Sequence, residues 1–165
     1  MTIEVREATE DDFPAVAKVT ERSYEQYADR LGPQRWNDYR AELTDIAGKA
    51  AAGAKTFIVL KDGEVAGAVS LYRNSPSDRP WPKEWTFVRA LAVAPEHRGN
   101  GIGQMLMKAC IEQTQAWDAP VIFLRTAPYM KSAMALYESM GFEKNEEFSE
   151  VLPNRREIMA YLVRF

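Results

Sequence analysis

Cysteine is almost absent from this chain: Cys110 is the only one among 165 residues. A lone cysteine excludes an intramolecular disulfide, and disulfide-free chains are typical of the reducing cytoplasm. No apolar run approaches the length that spans a membrane, and residues 1–7 lack the basic and apolar regions of a signal peptide. We therefore expect a cytoplasmic protein without a membrane partner.

Excess positive charge is also lacking. The chain has 21 Lys and Arg against 24 Asp and Glu, a formal net charge of −3, which argues against a nucleic-acid partner. Repeats and low-complexity segments are absent as well. Hydrophobic residues make up 46% of the chain, enough at this length for one core. We expect a single domain over residues 1–165, and we assign no metal site.

The most informative segment is a glycine-rich turn at residues 98–104. An apolar run at 91–94 ends at Pro95, glycines follow at 99, 101 and 103, and apolar residues then repeat at helical spacing. This pattern predicts a strand, a tight loop and a helix N-terminus. The first N–H groups of a helix have no partner within it, and the helix dipole adds partial positive charge there. Glycines let a phosphate approach the backbone, so the segment is predicted to bind an anion.

Two common phosphate-binding loops do not fit this turn. A P-loop needs Lys and Ser or Thr after its last glycine, where this chain has Gln104 and Met105. A dinucleotide-binding fingerprint has the spacing G-x-G-x-x-G early in a βαβ unit, whereas the spacing here is G-x-G-x-G and comes late. The pattern Arg98-x-x-Gly101-x-Gly103 after a strand resembles the pyrophosphate-binding motif of the GNAT-type N-acetyltransferase superfamily, whose co-substrate is acetyl-coenzyme A (acetyl-CoA).

A second segment resembles the same superfamily. Residues 133–142 read as a helix that carries Leu-Tyr, with Tyr137, and closes on Gly-Phe, with Gly141 suited to a left-handed position after the helix end. A strand candidate at 121–124 lies between the two signatures, in the order that the family shows. Met130 stands where the family usually carries Asn.

The resemblance implies an α/β (α+β) fold with a mixed, mostly antiparallel central sheet of about seven strands flanked by about four helices. Thr9 and Asp12 form a near capping box before the first helix, and Asp62-Gly63 predicts a hairpin. The predicted strands are 3–7, 56–60, 64–72, 85–93, 121–124, one after Phe142, and 157–163. The predicted helices are 13–27, one marked by residues 36–50 that ends near Gly53, one beginning at the glycine turn, and 133–140. A polar loop is predicted at 74–83.

The resemblance also implies an activity: transfer of an acetyl group from acetyl-CoA to a primary amine of a small molecule or peptide, by direct attack in a ternary complex. The main chain of strand 91–93 would bind the pantetheine arm, with an N–H near Leu91 facing the carbonyl oxygen. The N–H groups of residues 98–104 would hold the pyrophosphate, and the Arg98 side chain would add charge. The cofactor-binding residues so implied are Leu91, Ala92, Val93, Arg98, Gly99, Asn100, Gly101, Ile102, Gly103, Gln104 and Tyr137.

Acyl transfer to an amine requires proton movement at two places. Alkylamines are mostly protonated near neutral pH, so a proton must be removed, and the departing thiolate benefits from a proton. The resemblance makes Tyr137 the candidate acid. The base is open: relatives often place a glutamate where this chain has Phe87, which leaves Glu84, Glu25 or a water chain as candidates.

An alternative function stays open at this stage. Phe87 and Met130, both departures from the family pattern, favour a catalytically weak module that senses acyl-CoA without transferring the acyl group. The fold does not choose the acceptor amine. Tyr24, Tyr27, Trp36, Tyr39 and Trp81 either shape an acceptor pocket or pack. The C-terminal edge strands permit a homodimer.

Overall fold

A computed structural model describes residues 1–75 and 80–165 of the chain. The strands within these residues are β1 (Ile3–Glu7), β2 (Ala54–Lys61), β3 (Glu64–Tyr72), β4 (Thr86–Val93), β5 (Val121–Thr126), β6 (Glu143–Val151) and β7 (Glu157–Arg164). They are hydrogen-bonded in the order β1-β2-β3-β4-β5-β7-β6. The pairs β1/β2, β5/β7 and β6/β7 are antiparallel, and β4 pairs with β5 in parallel. The predicted mixed, mostly antiparallel sheet is confirmed.

The α-helices of the described residues are α1 (Phe13–Tyr24), α2 (Ala28–Leu31), α3 (Pro33–Leu43), α4 (Ile46–Ala51), α5 (Ile102–Ala116) and α6 (Lys131–Ser139). The predicted helix 13–27 is shorter, because α1 ends at Tyr24 and a 3-10 turn follows at Glu25–Tyr27. The predicted helix 36–50 was wrong as one element. Asp45 leaves the helical conformation and accepts the Gly48 N–H at 3.0 Å, so its side chain begins a new helix, α4.

Two local predictions are confirmed near the N-terminus and at the first hairpin. The Thr9 N–H donates to Asp12 Oδ2 at 2.7 Å, and this capping-box bond begins the 3-10 turn at Glu10–Asp12 that leads into α1. The hydrogen bond from Arg6 to the same carboxylate lowers the pKa of Asp12. Asp62 and Gly63 have φ of 50° and 84°, the left-handed values that a two-residue hairpin between β2 and β3 requires.

The chain divides into two compact units. One comprises Met1–Leu71 and Ala90–Ala109, and the other comprises Tyr72–Arg89 and Cys110–Phe165. Both β4 and α5 contribute residues to each unit. The single domain over residues 1–165 stays a prediction.

The first unit has an aliphatic core and one very close approach of a helix to a strand. Its core cluster is Val16, Val19, Ile46, Ile58, Ala68 and Ala94. At Gly67 in β3, a Cβ would lie 2.7 Å from Ile102 Cγ2 and 2.9 Å from the Ala92 carbonyl oxygen. Both separations are too short for a side chain, so Gly67 allows the start of α5 to lie directly against β3.

The second unit has an aromatic core. Its buried cluster is Trp81, Trp85, Phe87, Val121, Phe123, Ala160 and Leu162. The Trp81 ring is 8% exposed and lies 4.8 Å from Phe123 and 5.1 Å from Phe87, between centroids. Trp81 was expected either to shape an acceptor pocket or to pack, and the structure shows it packed in this core. The middle of the predicted loop 74–83, residues 76–79, lies outside the described residues.

No helix within residues 1–75 and 80–165 combines the length and the apolar character that crossing a membrane requires.

One buried charge marks the junction of α3 and α4. Lys49 is 6% exposed, and its Nζ donates to the Leu43 carbonyl at 2.6 Å. Burial lowers the pKa of Lys49 to about 8, although the nearby Asp45 carboxylate acts in the opposite direction. The folded chain therefore binds this proton less tightly than the unfolded chain does.

This lowered pKa predicts a pH-dependent stability. Between pH 8 and pH 10 the unfolded state holds more protons at Lys49, so the free energy of unfolding rises with pH. Relative to Lys49→Met, the wild type should gain about 2 kcal/mol over this interval, since one pKa unit corresponds to about 1.4 kcal/mol. Urea titrations at both pH values measure the difference. Lys18→Met, at an exposed lysine of α1, is the control. A constant difference between wild type and Lys49→Met would contradict the prediction.

Candidate functional site

The glycine-rich turn folds as its pattern predicts. A 3-10 turn at Pro95–His97 follows β4, and Gly99 and Gly101 have φ of 80° and 78°. The first intrahelical bond of α5 runs from the Met105 N–H to the Gly101 carbonyl at 3.1 Å. The N–H groups of residues 102–104 therefore have no acceptor within the helix. These donors and the positive end of the helix dipole both favour an anion at this end of α5.

The loop is exposed while the helix below it is anchored. The Ile102 side chain is 2% exposed, whereas Arg98, Gly99, Asn100, Gly101 and Gln104 are exposed and Gly103 is half-buried. The Asn100 amide nitrogen donates to the His97 carbonyl at 3.2 Å, across the turn. Because Gly99 and Gly101 carry no Cβ, the main chain of this turn is open to a bulky, charged ligand such as a diphosphate. These residues fit the pyrophosphate that the motif implies.

The strand that leads into the loop is irregular in the middle. Ala90 has φ of 59°, which non-glycine residues rarely adopt and which no sequence signal announced. The residues that follow, Leu91 and Val93, are half-buried, and Ala92 between them is 1% exposed. The Ala94 N–H donates to the Ala66 carbonyl oxygen of β3 at 2.8 Å. Since adjacent N–H groups of a strand point to opposite sides, the Val93 N–H points away from β3.

The Val93 N–H has a partner that sequence reasoning missed. It donates to Ser23 Oγ at 3.1 Å, and the Ser23 carbonyl accepts a hydrogen bond from Arg98 Nη2, also at 3.1 Å. Ser23 is 7% exposed and lies on the inward face of α1, four residues after Val19. That helical spacing was the only signal in the sequence that pointed to its burial.

An exposed ion pair also joins α1 to the segment that follows β4. Arg22 of α1 donates to both carboxylate oxygens of Glu96, at 3.1 and 2.6 Å. These hydrogen bonds lower the pKa of Glu96 to about 2. Exposed pairs of this kind contribute little to stability, so the pair adds to the buried Ser23 contacts without replacing them.

Tyr137 lies on α6 among other aromatic side chains. It is 6% exposed, and its ring centroid lies 5.8 Å from Phe142 and 6.4 Å from Tyr161. Gly141 has φ of 89°, and the Phe142 N–H donates to the Tyr137 carbonyl at 3.0 Å, which confirms the predicted left-handed helix end. The Tyr161 hydroxyl donates to Glu138 at 3.2 Å; burial, with Glu138 as the next cause, raises the pKa of Tyr161.

Phe87 and Met130 are the two positions that depart from the family pattern, and the structure shows the surroundings of both side chains. Phe87 is buried and stacks on Phe123 with centroids 5.6 Å apart, so an apolar ring lies where relatives often place a carboxylate. Met130 precedes α6, and its sulfur accepts the Thr126 hydroxyl at 3.6 Å.

The candidate bases lie at the surface. Glu84 is exposed in the turn just before β4, and Glu25 is exposed in the 3-10 turn after α1. Glu25 belongs to the first unit, as do residues 91–104, whereas Glu84 and Tyr137 belong to the second. Within the part of the chain that the structure describes, no group of three or more His, Cys, Asp or Glu side chains is arranged to hold a metal ion.

The tyrosines predicted near an acceptor form one cluster in the first unit. Tyr24 meets Tyr27 edge-on with centroids 6.1 Å apart, and meets Tyr39 likewise at 5.8 Å. Tyr24 is buried, and the other two are half-buried. The arrangement packs α1 against α3, and it also presents aromatic surface at the end of α1.

Solved structures share this fold over the whole chain. The PaiA N-acetyltransferase from Thermoplasma acidophilum, in complex with coenzyme A, has a TM-score of 0.76 at 15% identity and covers 100% of both chains. An acetyltransferase of the GNAT family from Staphylococcus aureus Mu50 has a TM-score of 0.72 at 16% identity, covering 99% of both chains. At such identities the likeness establishes the fold alone.

N-acetyltransferase 8F1 of Rattus norvegicus is 30% identical over 122 residues, which are 69% of this chain and 53% of that protein. The chain spans just over half the length of the curated relatives it matches first. Residues 5–142 match the acetyltransferase (GNAT) family as a whole. That match takes in the capping box, the glycine turn and the Leu-Tyr helix with its Gly-Phe end, and so the chain belongs to the GNAT acetyltransferase family.

Proposed function

We propose that this chain is an acetyl-CoA-dependent N-acetyltransferase that acts on a primary amine of a small molecule or peptide. The observation that carries the proposal is the turn at residues 98–104. Gly99 and Gly101 turn its main chain into left-handed conformations directly ahead of α5, whose first N–H groups favour an anion. Membership of the GNAT family supports acetyl-CoA as the ligand of this turn.

The proposed cofactor contacts are mostly main-chain contacts. N–H groups from Arg98 to Gln104 bind the pyrophosphate, and the main chain of Leu91, Ala92 and Val93 binds the pantetheine arm. Because the Val93 N–H donates to Ser23, the group of Val93 proposed for the cofactor is its carbonyl oxygen.

The proposed chemistry is direct attack in a ternary complex. Acetyl-CoA supplies the acetyl group as a thioester: the amine nitrogen forms a bond to the acetyl carbon, and the carbon–sulfur bond breaks. The Leu91 N–H donates to the carbonyl oxygen, and the Tyr137 hydroxyl gives a proton to the departing sulfur. No side chain is acetylated on the way. Cys110 supports this, because it is 0% exposed and burial raises the pKa of its thiol.

The amine must also lose a proton. We propose Glu84 for this role, directly or through water, with Glu25 as the competing carboxylate. Both are exposed, so water reaches either one.

A binding and turnover experiment tests the function. Calorimetry should show binding of acetyl-CoA and none of ATP or NAD, and a thiol-release assay over a broad amine panel should show turnover. Preference for ATP or NAD would contradict the proposal. Binding of acetyl-CoA without turnover on any amine would contradict the enzyme and favour the acyl-CoA sensor, to which Phe87 and Met130 point.

A matched pair of glycine variants locates the binding site. Gly101→Ala forces a side chain into a left-handed backbone, at φ of 78°, and should weaken acetyl-CoA binding about tenfold. Gly53→Ala imposes a similar strain at φ of 98° in the turn before β2 and should leave binding unchanged. Equal effects of the two variants would argue against the loop as the ligand site.

We also propose a cytoplasmic location, on the ground of the single buried cysteine. For the predicted homodimer, β6 offers an exposed strand at one end of the sheet order.

A further inference from the structure

Ser23, in the last turn of α1, makes two hydrogen bonds to segment 93–98, which runs from the last residue of β4 to the first residue of the glycine turn. Ser23 Oγ accepts the Val93 N–H, and the Ser23 carbonyl accepts Arg98 Nη2, both at 3.1 Å. The final carbonyls of a helix have no partner within it, and cations are favoured there. Arg98 therefore shares the Ser23 carbonyl with Gln26 Nε2, which donates to it at 2.8 Å, while the Ser23 hydroxyl satisfies a strand amide. A single buried residue contacts both ends of segment 93–98.

This segment determines where two sets of main-chain groups lie. Its first residue ends the strand proposed for the pantetheine arm, and its last residue begins the turn proposed for the pyrophosphate. A ligand that contacts both needs them at a fixed separation, because misplacement of binding groups costs affinity. The exposed Arg22–Glu96 pair is screened by water, so the Ser23 contacts are the main attachment of the segment to α1, while the Ala94 N–H attaches it to the Ala66 carbonyl of β3.

We infer that Ser23 is a positioning residue for cofactor binding. Its hydroxyl fixes the Val93 amide, and its carbonyl fixes the Arg98 side chain, so that strand end and turn are held in register. The inference rests on the proposed function. Arg98 then has two roles: it supplies the positive charge predicted from the motif, and its hydrogen bond to Ser23 holds the turn against α1.

Replacement of the hydroxyl tests the inference. Ser23→Ala leaves the Val93 N–H without its buried acceptor, and we expect the Kd and KM for acetyl-CoA to rise about tenfold while kcat stays within about twofold. Ser23→Thr keeps the hydroxyl and should bind within about threefold of wild type. Calorimetry and steady-state kinetics measure both. If Ser23→Ala does not fold, Ser23→Cys, which keeps the shape with a weak acceptor, takes its place.

Thr20→Val is the matched control. Thr20 is 1% exposed one turn earlier on α1, and its hydroxyl donates to the Val16 carbonyl of its own helix at 2.7 Å. Loss of that hydroxyl should leave acetyl-CoA binding unchanged. The inference is overturned if Ser23→Ala binds like wild type, or if Thr20→Val loses as much affinity. Failure of the wild type to bind acetyl-CoA at all would instead overturn the proposed function.

Discussion

Replacing Tyr137 with phenylalanine is expected to lower kcat by roughly 10²- to 10⁴-fold, the usual contribution of general acid catalysis. The substitution removes only the hydroxyl. The ring keeps its contacts with Phe142 and Tyr161, at 5.8 and 6.4 Å, so the aromatic cluster at α6 should stay intact. The proton for the departing sulfur is lost, and KM for acetyl-CoA should change little. Steady-state thiol release with a reactive amine measures the effect.

Tyr161→Phe is the matched control for this experiment. It removes a hydroxyl from the neighbouring ring, one that donates to Glu138, and leaves the ring in place. We expect kcat to remain within about threefold of wild type, since this hydrogen bond is an ordinary structural one. Rates for Tyr137→Phe within threefold of wild type at unchanged KM would remove Tyr137 as the acid. A similar collapse in both variants would assign the effect to packing.

Replacing Gly67 with alanine is expected to destabilise the fold by about 3 kcal/mol, at the upper end of the usual cost of overpacking. The added methyl would lie 2.7 Å from Ile102 Cγ2 and 2.9 Å from the Ala92 carbonyl oxygen. The Ile102 side chain can change its rotamer, but the Ala92 carbonyl belongs to β4 and moves only with the strand. Because Ile102 is also the first residue of α5, binding of acetyl-CoA should weaken as well. Urea unfolding and calorimetry measure the two effects.

A double-mutant cycle separates this contact from a general loss of stability. Ile102→Ala removes the Cγ2 atom and leaves a cavity at a residue that is 2% exposed. In the double variant the new methyl at 67 enters that cavity, so the loss should be smaller than the sum of the two single losses by about 1 kcal/mol or more. Strict additivity would show that the two positions do not meet. A Gly67→Ala protein as stable as wild type would contradict the close approach itself.

Much of the fold could be predicted because its signals lie in a few consecutive residues. The pair Asp62-Gly63 dictates a hairpin by its own backbone preferences, and Gly141 does the same for a helix end. Thr9 and Asp12 are three residues apart and cap the 3-10 turn that leads into α1. The division of helix 36–50 was missed because Asp45 is a neutral choice inside a helix and a strong one at its start, and only its bond to Gly48 decides.

The turn at 98–104 follows from local pattern alone, since glycine spacing after a strand and before a helix leaves the backbone few alternatives. The contacts that hold that turn in place come from residues far away in the chain. Ser23 is 70 residues from Val93 and 75 from Arg98, Gly67 is a lone glycine within a strand, and Ala90 adopts φ of 59° with no local cause. Such contacts arise when distant segments pack, and packing is a property of the surroundings of a residue, which its neighbours in the chain do not specify.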